Sequence, residues 1–334
     1  MKFTKHFSTV DMHTGGEPFR IITSGVPFLK GDTILEKRAY FKKYHDEIRQ
    51  VLMFEPRGHH GMYGCVITPP EREDSDFGIL FMHNEGLSTM CGHGTIAAVT
   101  YAIESGLVAA TSEETRVMID SPAGKLTAHA QCEGTKVKSV TFENVPSFVF
   151  YENYPVVVDG KNYTVDIAYG GAFYAIVDAK EFGRKVDIDH LATLQKIGMV
   201  IKREIESSIE VVHPFEKDIN GIYGVIFTDD PELEDSDSRN VTIFADGQVD
   251  RSPCGSGTGA RVALLKQKSL LQIGQRFVHE SIVNSQFVAE IIDETEFGPY
   301  SAVIPKITGN AFITGMHQFV VDPTDPLHEG FLIG

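Results

Sequence analysis

The sequence has no long apolar run and no basic segment. No window approaches the roughly 18 consecutive apolar residues of a membrane-spanning helix, and the N-terminal stretch MKFTKHFSTVDMHTGG lacks the apolar region of a secretory signal. Lys and Arg number 30 against 46 Asp and Glu, which gives a formal net charge of −16. Because a nucleic-acid backbone requires a basic face, we expect no nucleic-acid partner, no membrane association and a cytoplasmic location.

Cysteine is also scarce. The 334 residues contain four, Cys65, Cys91, Cys132 and Cys254, which are too few for a disulfide scaffold and do not lie at the spacing of paired zinc ligands. No cluster of His, Asp and Glu shows metal-ligand spacing either, so the sequence predicts no metal site and argues against a metal-dependent hydrolase. With 42% hydrophobic and 23% charged residues, the chain is typical of a globular protein of about two domains.

A motif headed by cysteine occurs twice. CGHGTIAAV, which begins at Cys91, matches CGSGTGARV, which begins at Cys254, at six of nine positions, and the two copies are 163 residues apart. The simplest account is a duplication that produced two similar domains, one formed by 1–125 with about 300–334 and the other by 126–299. An approximate two-fold axis would place equivalent points of the two halves on opposite sides of one cleft. We therefore predict that both thiols face one pocket.

Hydrophobic periodicity predicts the elements around this repeat. A helix is expected after each cysteine, with Gly106 ending the first and a break near Gly274 after the second. Segments 31–53 and 190–209 each predict one further amphipathic helix, and many alternating stretches predict strands. The fold class is therefore α+β. The segment PELEDSDSRN is expected to be a solvated acidic loop.

The position of each motif cysteine points to proton-transfer chemistry. Free N–H groups and the helix dipole stabilise negative charge at a first helical turn, so a thiol there can ionise below its usual pKa of about 8.5. The motif glycines leave the backbone N–H groups open to a carboxylate ligand: Gly92, Gly94, Gly255 and Gly257. Neither copy completes a nucleotide-binding glycine motif. Cys65 and Cys132 head no such helix, and we expect both to be inert.

Several reactions fit two such thiols. A single cysteine nucleophile could act with His93, but that chemistry leaves the second thiol without a role. Two facing thiols suit racemisation, in which one removes a proton from carbon and the other delivers one to the opposite face. The same pair could also remove a Cα proton and assist loss of a β-hydroxyl group. A binding protein with an inactive site is the remaining alternative, and it is disfavoured because both cysteines are present.

The motifs TMCGHGTIA and VDRSPCGSGTGAR resemble the two signatures of the proline racemase superfamily, which includes hydroxyproline 2-epimerases and trans-3-hydroxy-L-proline dehydratases. The resemblance continues through VDMHTGGEPFRI, MFEPRGHHGMYG, DIAYGGAFYA, PKITGNAFITG and DPLHEGF. It implies a fold similar to diaminopimelate epimerase, with strands wrapped around a central helix in each of two domains. It also implies catalysis without a cofactor on a small substrate, proline or hydroxyproline, and a homodimer.

The resemblance assigns roles to individual residues. Cys91 and Cys254 would form the acid/base pair, and Asp250 would pair with the ring ammonium of the substrate. Four neighbours of the thiols would hold the substrate carboxylate and amine: Gly92, His93, Gly255 and Ser256. Phe244, ten residues before Cys254, is a candidate wall of the pocket. These roles agree with the physics, since exposed N–H groups suit a carboxylate and a carboxylate suits a cation.

The residues point in two directions within the superfamily. HNEGLSTMCGH, DIAYGGAFYA, YGVIFTDD and FADGQVDRSP most resemble the dehydratases, in which threonine typically replaces the second cysteine. Here that position is Cys254. A threonine hydroxyl is too weak an acid to reprotonate Cα efficiently, whereas a thiol keeps racemisation open. The sequence therefore favours a racemase or epimerase acting at Cα of proline or hydroxyproline, with trans-3-hydroxy-L-proline dehydration as the alternative.

Overall fold

The structure, a computed structural model, describes residues 4–111, 113–217 and 219–333. Within these residues the chain forms seventeen strands and five α-helices, which confirms a mixed α and β architecture. The chain divides into two compact units, one ending at Phe142 and completed by the segment from Asn310, the other comprising Glu143–Gly309. In the part of the chain that is described, no helix has both the length and the apolar character needed to cross a membrane.

The first unit contains eight strands and three helices. The strands are β1 Lys5–Thr14, β2 Glu17–Ser24, β3 Tyr63–Thr68, β4 Phe77–His83, β5 Glu114–Ser121, β6 Gly124–Glu133, β7 Lys136–Glu143 and β17 Ala311–Val321; the helices are α1 Ile34–Tyr44, α2 Asp46–Met53 and α3 Gly92–Glu104. The strands pair in the order β17–β1–β2–β3–β4–β5–β6–β7. Nearly every residue of α3 is buried, and α3 contacts β17, β1, β2, β3 and β6. It is therefore the central helix of the unit.

The second unit contains nine strands and two α-helices. The strands are β8 Ser147–Val158, β9 Lys161–Tyr169, β10 Phe173–Asp178, β11 Gly224–Asp229, β12 Ser238–Phe244, β13 Gln248–Asp250, β14 Arg276–Ser281, β15 Gln286–Phe297 and β16 Tyr300–Gly309; the helices are α4 Ile188–Ser208 and α5 Gly255–Gln267, with a 3-10 turn at Ala179–Phe182. The strands pair in the order β8–β9–β10–β11–β12–β14–β15–β16, and β16 returns to β8. This closed ring surrounds the buried helix α5, which contacts five of its strands.

The two units repeat one order of pairings. In the first unit the parallel pairs are β2–β3 and β4–β5; in the second they are β10–β11 and β12–β14, at the same places in the order. In each unit the central helix lies between the two strands of the second parallel pair in the chain: α3 between β4 and β5, and α5 between β12 and β14, where the short β13 precedes it. A duplicated topology thus accompanies the duplicated motif, while the assignment of two domains related by a two-fold axis stays a prediction.

The helix predictions are confirmed with one exception. Helices α3, α4 and α5 lie where periodicity places them, but the single helix predicted over 31–53 is wrong. It divides at His45, whose φ of −140° and ψ of 16° are not helical. Beyond the break, the Arg49 guanidinium of α2 donates to the loop carbonyls of His83 and Asn84. Sequence periodicity does not detect this, because both pieces carry apolar faces of the same period.

The acidic loop at 231–237 is exposed or half-buried throughout, so the predicted solvated loop is confirmed there, whereas 238–240 are buried and begin β12. The loop is also anchored, because the backbone N–H groups of its second and third residues donate to the buried carboxylate of Glu280. The loop at 70–76, which has the related sequence PEREDSD, binds the carboxylate of Asp120 in the same way. Buried carboxylates require such donors. The loop is therefore a second repeated element, and it ties β12 or β4 to its parallel neighbour.

Candidate active site

Cys91 occupies the N-cap of α3, as predicted. Its backbone is extended, with φ of −149° and ψ of 106°, and the Gly94 N–H donates to Sγ at 3.3 Å. The Thr95 N–H and hydroxyl both donate to the Cys91 carbonyl, at 2.9 and 2.8 Å. The sulfur therefore lies at the positive end of the helix dipole and accepts a backbone N–H, an arrangement that stabilises a thiolate.

His93 lies directly against this sulfur. Its Nδ1 and Nε2 are 3.4 and 3.6 Å from Cys91 Sγ. The rings of Phe19 and Tyr63 meet the imidazole edge-on, with centroids 5.6 and 5.0 Å away. The Thr14 hydroxyl donates to the His93 carbonyl at 2.9 Å. These contacts fix the imidazole beside Cys91, where it can interact with the sulfur or with a ligand.

One glycine in each motif makes room for the sulfur. A Cβ added to Gly94 would lie 2.9 Å from Cys91 Sγ, and a Cβ added to Gly257 would lie 2.9 Å from Cys254 Sγ. Both distances are closer than ordinary van der Waals contact permits. The third residue after each cysteine must therefore lack a side chain for the thiol to occupy its place.

Cys254 also lies at a helix N-cap, but its backbone differs from that of Cys91. Its φ is +64° and its ψ is 107°, a conformation that residues other than glycine rarely adopt. Its Sγ is 3.6 Å from the hydroxyl of Tyr174, which in turn lies 2.7 Å from Ser256 Oγ. Backbone strain at a buried, chemically active side chain is typical of a functional site.

Burial determines the protonation of Cys254. It raises the pKa of this thiol to about 12, with a further upward contribution from the Asp250 carboxylate and a partial offset from the Tyr174 hydroxyl. The expectation that a helix start lowers the pKa of the thiol is thus wrong for Cys254, because loss of hydration outweighs the helix terminus. At neutral pH the Cys254 side chain is a protonated thiol and a weak acid.

Asp250, at the end of β13, is buried beside this thiol. Its Oδ1 accepts the Ser252 N–H at 2.8 Å and the Ser252 hydroxyl at 2.7 Å, and the Cys254 N–H donates to Ser252 Oγ at 3.1 Å. Burial raises the pKa of Asp250 to about 6, although the bonds from Ser252 act in the opposite direction. Asp250 is therefore mainly ionised at neutral pH, and a buried carboxylate in this state is a suitable partner for a cation.

Phe244 lies at the end of β12 and belongs to an aromatic group. Its ring stacks on Tyr223 with centroids 5.5 Å apart, and Tyr223 meets Tyr174 edge-on at 5.8 Å. Neither Tyr174 nor Tyr223 is among the site residues predicted from the sequence. The signal was present, because Tyr174 lies within DIAYGGAFYA, a segment that the resemblance had marked without naming a residue.

The predicted residues thus form two clusters. Around Cys91 the structure brings together Gly92, His93 and Gly94, and around Cys254 it brings together Asp250, Gly255 and Ser256, with Phe244 linked through the two tyrosines. That both clusters serve one pocket stays a prediction. Over 4–111, 113–217 and 219–333, no group of three or more His, Cys, Asp or Glu side chains could hold a metal ion.

The other two cysteines lie outside these clusters. Cys65 is fully buried in β3, where burial raises the pKa of its thiol far above the ordinary range. Cys132 is half-buried on β6, with its thiol near the Ala130 carbonyl at 3.6 Å. Neither heads a helix. Their surroundings match those of structural cysteines rather than reactive ones.

Comparison with known proteins places these clusters in a family context. The family model described as "Proline racemase" matches residues 9–332. The chain is 58% identical over 334 residues to a trans-3-hydroxy-L-proline dehydratase of Bacillus thuringiensis subsp. konkukian, with 100% of both chains covered. It is 43% identical over 335 residues to a proline racemase of Acetoanaerobium sticklandii, again with 100% of both covered. A solved hydroxyproline epimerase of Agrobacterium vitis with bound trans-4-hydroxy-L-proline superposes with a TM-score of 0.92 at 34% identity, covering 100% of this chain and 96% of that one.

Proposed function

This chain belongs to the proline racemase family, and from that membership we propose that it removes the Cα proton of trans-3-hydroxy-L-proline and expels the 3-hydroxyl group as water. The observation that carries this proposal is the 58% identity, over the full length of both chains, to a trans-3-hydroxy-L-proline dehydratase of Bacillus thuringiensis subsp. konkukian. The surroundings of Cys254 support it, because burial beside the Asp250 carboxylate raises the pKa of this thiol and makes it a weaker acid for reprotonating Cα.

The stereochemistry of the substrate supports the same reaction. In trans-3-hydroxy-L-proline the 3-hydroxyl is trans to the carboxylate, so the hydroxyl and the Cα hydrogen lie on the same face of the ring. A thiolate at Cys91 would take the Cα proton and, now a thiol, return it to the departing hydroxyl. The Cα–H and C3–O bonds break, a Cα=C3 double bond forms, and water leaves with Cys91 restored to thiolate. Cys254 has no obligatory step in this sequence.

The remaining site residues have binding roles in this proposal. The N–H groups at the starts of α3 and α5, which Gly92 and Gly255 leave open, would bind the substrate carboxylate together with Ser256 and His93. Asp250 would pair with the ring ammonium, and Phe244 would form part of the apolar wall. No step requires a cofactor.

The proposal includes an arrangement of the two units. We propose two similar domains related by an approximate two-fold axis, as in diaminopimelate epimerase, with Cys91 and Cys254 on opposite faces of one substrate ring. The repeated pairing order and the repeated cysteine motif support this arrangement. A homodimer of such chains in the cytoplasm is part of the same proposal.

Epimerisation at Cα is the second candidate. It is favoured by the presence of a thiol at Cys254, since a proton delivered to the face opposite Cys91 inverts Cα. The hydroxyproline epimerase of Agrobacterium vitis and the proline racemase of Acetoanaerobium sticklandii belong to the same family. Both reactions begin with the same proton abstraction, and they differ in whether the hydroxyl leaves before Cys254 reprotonates the carbon.

The test is proton NMR of the purified enzyme in D₂O with trans-3-hydroxy-L-proline, L-proline and trans-4-hydroxy-L-proline in separate samples. We expect a ring-unsaturated product from the first amino acid at a rate well above Cα exchange of the other two. Fast exchange and inversion of L-proline or trans-4-hydroxy-L-proline without unsaturated product would overturn the dehydratase proposal in favour of the epimerase.

A further inference from the structure

The two units differ in the buried residues of their second parallel strand pair, which is β4–β5 in the first unit and β12–β14 in the second. In the first unit the parallel pair β4–β5 aligns Phe77 with Ile119, and in the second the pair β12–β14 aligns Ser238 with His279. His279 therefore occupies the position of Ile119. Along β4 and β12, three further apolar residues of the first unit are replaced by polar ones in the second: Phe77 by Ser238, Ile79 by Asn240 and Phe81 by Thr242. All eight of these side chains are buried.

The polar residues of the second unit bond to the peptide that precedes Cys254. The carbonyl of Pro253 accepts the Asn240 side-chain amide at 3.2 Å and the Thr258 hydroxyl at 3.2 Å. The Thr258 N–H also donates to the Cys254 carbonyl, at 2.7 Å. Two buried donors thus fix the orientation of the Pro253–Cys254 peptide, and a third bond fixes the peptide that follows.

His279 supports Thr258. Its Nδ1 is 2.9 Å from Thr258 Oγ1. Since the single hydroxyl proton of Thr258 is donated to Pro253, the imidazole must donate its own Nδ1–H to Thr258. Burial, together with the nearby Arg261 charge, lowers the pKa of His279 to about 3, so the ring is neutral and carries one proton. Among the described residues its Nε2 has no hydrogen-bond partner. The only N–H of the ring is therefore the one on Nδ1, which Thr258 accepts.

The burial of these polar side chains has a cost in folding free energy that packing alone does not explain. Fully buried polar side chains are less favourable than the isoleucine and phenylalanine that fill the same positions in the first unit. The second unit also contains the strained cysteine, with φ of +64°, whereas the first contains the cysteine in an ordinary extended conformation. A strained backbone persists only where its surroundings hold it in place.

We propose that Asn240, Thr258 and His279 form a positioning network, which holds the strained backbone of Cys254 so that its thiol points toward the substrate position. This inference rests on the proposed function, since it gives Cys254 a place beside the reacting ring. The three residues are positioning residues, because they act through the Pro253 carbonyl and touch no reacting atom. In the Cys91 unit Thr95, the counterpart of Thr258, donates its hydroxyl to the Cys91 carbonyl at 2.8 Å, and apolar Ile79 and Ile119 replace Asn240 and His279. The cysteine of that unit has no strained conformation to hold.

The test compares Thr258→Val, Thr258→Ser and His279→Ile in the full-length enzyme. Thr100→Val is the matched control, since Thr100 is also buried in a central helix and donates only to the Ile96 carbonyl, at 2.8 Å. We expect Thr258→Val and His279→Ile to lower kcat for Cα inversion by about 10- to 100-fold with little change in KM, because a misplacement of about 1 Å costs up to that much. Thr258→Ser retains the hydroxyl and should therefore retain the wild-type kcat. Thr100→Val should lower thermal stability without lowering kcat.

A second measurement needs no substrate. Iodoacetamide labelling of Cys254, followed by peptide mapping, should accelerate several-fold in Thr258→Val and His279→Ile relative to the wild type, with labelling of Cys91 unchanged. Equal effects of Thr258→Val and Thr100→Val on both kcat and labelling, or failure of Thr258→Ser to recover either, would overturn the network. If the wild type turned over none of the three amino acids, the proposed function would fail. If it dehydrated trans-3-hydroxy-L-proline but inverted none of the three, the proposed function would stand. In both cases the labelling alone would decide the network.

Discussion

The hydroxyl of Tyr174 lies 3.6 Å from the sulfur of Cys254, although 80 residues separate them in the chain. The same hydroxyl is 2.7 Å from Ser256 Oγ in the first turn of α5. Burial raises the pKa of Tyr174 well above its usual value, so its hydroxyl stays protonated and serves as a neutral contact for the thiol. The Tyr174 hydroxyl thus contacts both the thiol of Cys254 and the side chain of Ser256 in the first turn of α5.

Tyr174→Phe should weaken inversion at Cα more than dehydration. Removing the hydroxyl removes the contact that partly lowers the pKa of Cys254, so the thiol becomes a still weaker acid. We expect inversion to fall about 10-fold, with a stability loss of about 1 to 3 kcal/mol because Ser256 loses a buried partner. Initial rates by NMR and urea unfolding measure both effects. Tyr163→Phe, on a strand of the same unit and packed on Phe182, is the control; a similar loss of inversion there would contradict the assignment.

Replacement of the two thiols should separate the reactions. Cys91→Ser should abolish dehydration and inversion together, since Cys91 supplies the base for the first step of both. Cys254→Thr should leave dehydration of trans-3-hydroxy-L-proline largely intact and remove inversion of L-proline. Turnover of each amino acid by both variants is followed by NMR. Loss of dehydration in Cys254→Thr at unchanged thermal stability would show that the second thiol has an obligatory role in elimination.

Asp250 should produce an acid limb in the pH profile. Its pKa in the folded protein is raised from 3.8 to about 6, so kcat/KM should fall as the pH drops through about 6 and Asp250 loses the charge that pairs with the ring ammonium. Because the folded state binds this proton more tightly than the unfolded state, the contribution of Asp250 to stability is greatest below pH 3.8 and is lost as the pH rises to about 6.

Asp250→Asn tests both effects at once. The variant should have a raised KM, no acid limb near pH 6, and a free energy of unfolding that lacks the corresponding change between pH 3.8 and about 6. Stability of both proteins is measured by urea unfolding across that interval. An unchanged acid limb in Asp250→Asn would assign the titration to another group.

Gly257→Ala should displace the Cys254 thiol with little loss of fold. The added Cβ would lie 2.9 Å from Sγ and 3.0 Å from the end of the Ile226 side chain, and alanine itself favours a helix. We expect inversion to fall about 100-fold, as for a misplacement of about 1 Å. Gly198→Ala in α4, where the added Cβ would meet its nearest neighbour at 3.2 Å, controls for a methyl group added to a helix. Retained inversion in Gly257→Ala would show that the thiol position is not critical.

Local sequence was sufficient for the helix starts and insufficient for the break at His45. Cys91 and Cys254 head their helices because each is followed by a glycine-containing turn and then by an apolar helical period, all within about 13 residues. The break at His45 is followed by a contact from Arg49 to the carbonyls of His83 and Asn84, which are more than 30 residues away. Hydrophobic periodicity reflects only residues within a few turns of each other, so it does not reveal a contact between residues that far apart in the chain.

The sequence by itself determined which side chains could do chemistry: two cysteines in a repeated glycine motif, an aspartate four residues before the second, and the family that these motifs resemble. Tertiary structure decided how each of them behaves. Strand pairing brings Tyr174, Thr242 and the Asp250 carboxylate beside the buried Cys254, so that this thiol becomes a weak acid. The reason is physical, since the pKa of a thiol depends on hydration and neighbouring charge, and both are set by residues that are distant in the chain.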